Sequence, residues 1–191
     1  MTRIAIAYHS GYGHTRRQAE AVHAGAAAQP GVEATLYPID TLSEAQWLEL
    51  DAADAIIFGA PTYMGSVSAK FKGFMDESSK RWFSGAWKNK VAGGFTTSAS
   101  QSGDKLNTLI QLMVFANQHA MIWVGLDLMP GNNSSKGSVD DLNRLGSFSG
   151  AMAQANADQG ADAMLDSDLK TAARLGARVA ETAAELSRGR A

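Results

Sequence analysis

Three short segments rich in glycine, serine and threonine hold most of the residues able to do chemistry: Ser10-Gly-Tyr-Gly-His-Thr15, Gly59-Ala-Pro-Thr-Tyr-Met-Gly-Ser66 and Thr96-Thr-Ser-Ala-Ser-Gln-Ser-Gly103. The first follows an apolar run and opens a helical one. A turn there aims free backbone N–H groups and the positive end of a helix dipole at one point, and suits an anion. Gly11 and Gly13 let the backbone bend closely around such a group, Ser10 and Thr15 add hydroxyls, and Tyr12 and His14 stand between them. The loop lacks the Gly-Lys-Ser/Thr ending of a polyphosphate-binding loop and does not match the G-x-G-x-x-G dinucleotide spacing. A single monoester phosphate held by neutral hydrogen bonds fits it better than a triphosphate; an ordinary glycine-rich turn has the same composition.

In the second segment Pro61 fixes one backbone angle and Gly65 frees another, leaving Thr62, Tyr63 and Met64 at a turn. Exposed apolar groups beside a phosphate site suit a planar ligand, although Tyr63 and Met64 could equally cap a sheet edge. The third segment offers hydroxyls and small side chains from Thr97 through Ser98, Ala99, Ser100, Gln101 and Ser102. It could surround the polar edge of a ring, and a solvated loop would look the same in isolation.

The elements that must position these segments read as short apolar runs alternating with helical spacing. Strands are expected at Ile4 to Tyr8, Glu33 to Pro38, Ala55 to Gly59, Val91 to Phe95 and Met121 to Val124. Helices are expected at Thr15 to Ala28, Glu44 to Leu50, Ala69 to Ser79, Lys105 to Gln118 and about Asp168 to Ser187. The pattern predicts an α/β fold with a doubly wound, five-stranded parallel sheet and helices on both faces. All three segments would then meet at the carboxyl ends of the strands, where open sheets bind ligands. The 191 residues suit a single domain, with a long irregular excursion at about 127–167 that is rich in Gly, Asn, Ser, Ala and Asp and reads as an active-site or interface excursion or else a mobile segment.

Composition narrows the chemistry. There is no cysteine, which removes disulfides, thiolate metal ligands and thiol nucleophiles, and no metal site is expected. A net charge of -2 gives no general attraction to nucleic acid. No stretch reads as a secretory signal or a membrane span, so the expected setting is cytoplasmic, without membrane insertion.

With these residues in view, the chain resembles the flavodoxin superfamily and, within it, the WrbA-type NAD(P)H:quinone oxidoreductases. The most specific matches are Ser10 to Thr15, Phe58-Gly-Ala-Pro-Thr62, Phe74-Met-Asp76 with Trp82-Phe-Ser-Gly85, and His119. The resemblance implies FMN as cofactor and NADH or NADPH as electron donor. It also implies a small quinone-like acceptor and a homodimer or homotetramer. Ser10 to Thr15 would hold the FMN phosphate, Thr62 to Met64 would flank the ring and ribityl chain with Pro61 and Gly65 also in the cofactor site, and Thr97 to Ser102 would touch the ring's polar edge. Tyr12, Trp82 and His119 would wall the acceptor pocket, His119 beside the flavin and Trp82 often across a subunit boundary. The flavin would carry the chemistry, with no side chain as covalent nucleophile. The alternative is a flavodoxin-like electron carrier acting with a protein partner, against which the near-neutral charge weighs. The family commonly has an Arg-Phe pair where this chain has Tyr63-Met64, a change that bears on acceptor choice. The connection from Ile39 to Asp54 is shorter than the family insertion that helps form tetramers.

Overall fold

Side-chain alternation builds the sheet. In β1 (Thr2–Tyr8), Ile4, Ile6 and Tyr8 face one buried layer, and Ala5 and Ala7 face the other. The same division runs through β3 (Ala55–Tyr63), with Ala55 and Ile57 on the first side and Ile56, Phe58 and Ala60 on the second. Strands apolar on both faces must be covered on both faces. A computed structural model describes residues 1–189.

One cover consists of α1 (His14–Ala27) and α6 (Asp166–Gly189), which supply Ala19, Val22, Leu175 and Val179. These two helices touch backbone to backbone. A Cβ on Gly176 would run into the Val22 carbonyl, and one on Gly25 into that of Ala173. Only glycine allows that approach, which holds the second half of α1 against α6.

The other cover comprises α2 (Glu44–Ala52), α3 (Ala69–Glu77), α4 (Ser79–Ser84) and α5 (Lys105–Gln118). Ser43 starts α2 with a capping box to Gln46. An aromatic cluster fills this layer: Trp47 stacks on Phe74 with ring centres 5.0 Å apart, and wholly buried Trp87 donates its indole N–H to Asp51 at 2.7 Å.

The sheet order is β2-β1-β3-β5-β6, where β2 is Val32–Pro38, β5 is Val91–Ser98 and β6 is Ile122–Trp123, all paired in parallel. The five-stranded parallel core and its two helical faces match the sequence expectation. The edge does not. The run from Met121 to Val124 yields only a two-residue strand against Val91 and Ala92, and β7 (Ala151–Gln154) takes over the same side of β5 from Phe95 to Ser98. The expected irregular excursion at 127–167 therefore contains a sheet strand and a short 3-10 helix at Ala161–Ala163. Backbone pairing with β5, rather than local apolar pattern, makes β7. Two strands also run further than expected: β3 reaches Tyr63 and β5 reaches Ser98, so Pro61 to Tyr63 and Thr96 to Ser98 are ordered by the ladder.

Among the described residues, no helix is long and apolar enough to cross a membrane.

Candidate functional site

The first loop folds on its own serine. Ser10 Oγ accepts the backbone N–H groups of Gly13 at 3.1 Å and Arg16 at 3.0 Å. Both lone pairs are then used, which leaves the hydroxyl proton to donate outward. Gly13 has a φ of +93° immediately before α1, a conformation that a side chain strains. His14 Nε2 lies 2.9 Å from the Gln159 carbonyl and ties the loop to the segment following β7.

The second segment forms a tight hairpin. Tyr63 pairs with Ser66 of the short antiparallel strand β4 (Ser66–Val67) across Met64 and Gly65, whose φ angles are +48° and +76°. Asn107 Nδ2 donates to the Gly65 carbonyl at 2.6 Å, and Gln111 Oε1 accepts the Ser66 hydroxyl at 2.8 Å, so α5 clamps the tip. Tyr63 lies edge-on to Tyr12, ring centres 6.4 Å apart, with its hydroxyl against Gly11. Burial raises the Tyr63 phenol pKa and keeps it neutral. Tyr12 is 81 % exposed, a large ring held out in solvent.

Beneath these residues Thr62 Oγ1 lies 2.8 Å from both Thr96 Oγ1 and Thr108 Oγ1, a buried hydroxyl relay under the strand ends. Thr97 Oγ1 is buried without a hydrogen-bond partner among the described residues. A buried hydroxyl without a partner is costly, and a polar ligand atom would satisfy it.

A cavity of about 740 Å³ opens at this end of the sheet. It brings together Tyr12, His14 and Thr15, then Pro61, Thr62 and Tyr63, then Thr97, Ser98 and Ala99. Ser10, Gly11 and Gly13 shape its first loop, and Met64 and Gly65 form the hairpin tip, but none of these five lines it; nor do Ser100, Gln101 and Ser102, which continue the third loop. The fourth wall, Ala155, Ala157, Asp158 and Gln159, comes from the 127–167 excursion, in which the sequence singles out no individual site residue. Its signal in the sequence was slight, the short alternating run Ala151-Met-Ala-Gln154 just before it.

Trp82 and His119 do not join Tyr12 within one chain. They line a second cavity of about 590 Å³ between α3, α4 and α5, with Met75, Ile110, Val114 and Phe115. The reason is topological: His119 ends α5 just before β6, and residues entering a parallel strand lie at the edge opposite the strands' carboxyl ends. His119 is packed 4.3 Å from the Trp87 ring, and its Nε2 lies 2.9 Å from Ser78 Oγ. Because that hydroxyl donates to the Met75 carbonyl, Nε2–H is the donor to it.

Burial pushes the His119 pKa down to about 4. The unfolded chain takes up this proton near pH 6.5 and the fold refuses it until about pH 4, so stability falls as pH drops through that window. Between pH 6.5 and 4.5 the loss assigned to this side chain is about 2 to 3 kcal/mol. Urea unfolding of wild type and His119→Gln at both pH values checks it: the variant's stability should change less with pH by that amount, and parallel curves would refute the assignment.

An open parallel sheet covered on both faces, with a ligand-sized cavity at its carboxyl edge, defines a flavodoxin-like protein. Residues 8–132 match the family model described as NADPH-dependent FMN reductase. Flavodoxin FldP of Pseudomonas aeruginosa is 47% identical, the match covering 83% of this chain and 84% of that protein. An NAD(P)H dehydrogenase (quinone) of Aromatoleum aromaticum is 31% identical over 99% of each chain. The solved structure of a flavodoxin, WrbA-like protein from Agrobacterium tumefaciens superposes with a TM-score of 0.76 at 46% identity, covering 97% of this chain and 99% of that one. The chain belongs to the NADPH-dependent FMN reductase family and, within it, to the flavodoxin-like WrbA type.

Proposed function

We propose that the protein is an FMN-dependent oxidoreductase that takes electrons from NADH or NADPH and delivers them in pairs to a small quinone-like acceptor. The observation that carries this reading is the cavity itself: the helix start at His14 and Thr15 that follows the glycine turn, the buried Thr97 hydroxyl without a partner among the described residues, and Tyr12 and Tyr63 line one space of about 740 Å³. Among the described residues no lysine or arginine lines the cavity, and this suits a monoester phosphate held by backbone N–H groups and hydroxyls. The residues fit FMN. Ser10 to Thr15 would hold its phosphate, Thr62 and Tyr63 its ring and ribityl chain, and Thr97 to Ser102 the ring's polar edge.

When bound, FMN supplies hydride acceptance and two-electron delivery. The protein's part is placement. Tyr12, exposed at the rim, offers a face on which a nicotinamide or quinone ring stacks. The clamped hairpin keeps Tyr63 and Met64 from drifting into the space a planar substrate needs. The cavity holding Trp82 and His119 supports assembly into a homodimer or homotetramer, in which a neighbour's Trp82 completes the acceptor side. Trp82 is 53 % exposed in the single chain, available for that contact.

A second reading, an FMN electron carrier serving a protein partner, is favoured by the 47% identity to a relative named as a flavodoxin. Steady-state NADH and NADPH oxidation by FMN-loaded protein with a series of quinones separates the two. Quinone-dependent turnover supports the oxidoreductase; bound FMN with no oxidation of either nucleotide overturns it in favour of the carrier.

A further inference from the structure

Lys105 opens α5 and is 0 % exposed, buried at a helix start. Both circumstances disfavour a cation: burial strips its water, and the amino end of a helix is itself positive. A charge kept there is bound to something specific. Its ammonium donates to Ser98 Oγ at 2.9 Å, the Ser100 carbonyl at 2.6 Å and the Gln101 carbonyl at 2.8 Å, which uses all three of its protons.

These contacts dictate how the third loop faces. In a trans peptide the C=O and N–H point in opposite directions, and no cis peptide occurs among the described residues. Drawing the Ser100 and Gln101 carbonyls inward onto Nζ therefore turns the N–H groups of Gln101 and Ser102 away from it. Ser98, the third acceptor, lines the large cavity, so the charge sits one hydroxyl away from the cavity wall. The charged groups that act on it are Asp168 and Arg144, which are committed to each other at 2.7 Å.

We propose that Lys105 is a positioning residue of the flavin site: it holds Ser98 at the cavity wall and the third loop with its Gln101 and Ser102 amides turned away from Nζ, available to a bound ligand, and its buried charge favours the reduced, electron-rich ring over the oxidised one. This rests on the FMN reading. Burial lowers the amine's pKa to about 8, so it remains largely charged at neutral pH.

The test compares oxidised and dithionite-reduced FMN affinities, with the two-electron potential, for wild type, Lys105→Met and Lys105→Arg. Lys105→Met should weaken reduced FMN by about tenfold more than oxidised FMN, a potential drop of about 30 mV for a two-electron couple. Lys105→Arg should restore much of the difference. Equal weakening of both states, or none, would overturn the proposal and leave Lys105 a structural staple. A measurement on wild type needs no variant to fold: NMR-detected exchange of the Gln101 and Ser102 amides should slow about tenfold or more when FMN binds, as for amides newly hydrogen-bonded. Unchanged exchange overturns the positioning role. Wild type that takes up no FMN overturns the FMN reading and this inference together, whereas FMN-loaded wild type matched by Lys105→Met overturns the inference alone.

Discussion

Gly13→Val is expected to raise the FMN dissociation constant about a hundredfold, equivalent to about 2 to 3 kcal/mol, while leaving the sheet intact. Gly13 holds a φ of +93° at the junction where β1 hands over to α1. A β-branched residue is a severe outlier there. The cheapest relief is to unwind the turn, which releases the Gly13 and Arg16 N–H groups from Ser10 Oγ and scatters the donors aimed at a phosphate. The strain thus falls on binding, because α1 remains anchored by its glycine contact with α6. Flavin fluorescence titration reads the loss, and circular dichroism checks the fold. An unaltered dissociation constant would mean that this turn is an ordinary βα connection.

The largest stability effect is expected at Asp168. Its carboxylate, at the start of α6, accepts two guanidinium bonds from Arg144 at 2.8 and 2.7 Å and the backbone N–H of Gln154 at 2.9 Å. Both side chains are buried. Asp168→Ala leaves the guanidinium uncompensated and should cost about 3 to 5 kcal/mol in urea unfolding. Arg144 belongs to the excursion and Gln154 to β7, so the loss also loosens the route to the fourth cavity wall, and FMN binding should weaken in the same variant. The paired change Arg144→Met with Asp168→Leu should recover most of the stability, since it removes both charges. A loss within about 0.5 kcal/mol for Asp168→Ala, the range of ordinary surface changes, would contradict the account.

How much of this was legible beforehand follows from whether the signal was local. The first two loops could be read because glycine, proline and hydroxyl residues after an apolar run carry their turn chemistry in a few neighbouring positions. The central strands could be read because burial on both faces leaves continuous apolar runs. The sheet edge could be read only in part: the apolar run Met121 to Val124 marks β6, of which two residues pair, whereas the four residues of β7 form a strand through pairing with β5, a contact remote in sequence. The wall at Ala155 to Gln159 was hidden with it. His119 and Trp82 were grouped with Tyr12 through the family resemblance, and the single chain sets them in a different cavity, because His119 enters a strand where Tyr12 follows one. In the sequence Lys105 marks only the start of an expected helix, and the inward fold of the third loop is what shows it buried.

If the cavity at the strand ends is an FMN site, it holds the cofactor by its phosphate and ring together. The most direct test is a fluorescence titration of the wild-type apoprotein with FMN and, in parallel, with riboflavin, which lacks the phosphate. Saturable binding of one FMN per chain is expected, with riboflavin weaker by about tenfold or more, since charge-assisted bonds at the first loop contribute about 1.5 to 3 kcal/mol. Equal affinity for the two flavins, or no binding of either, would contradict it.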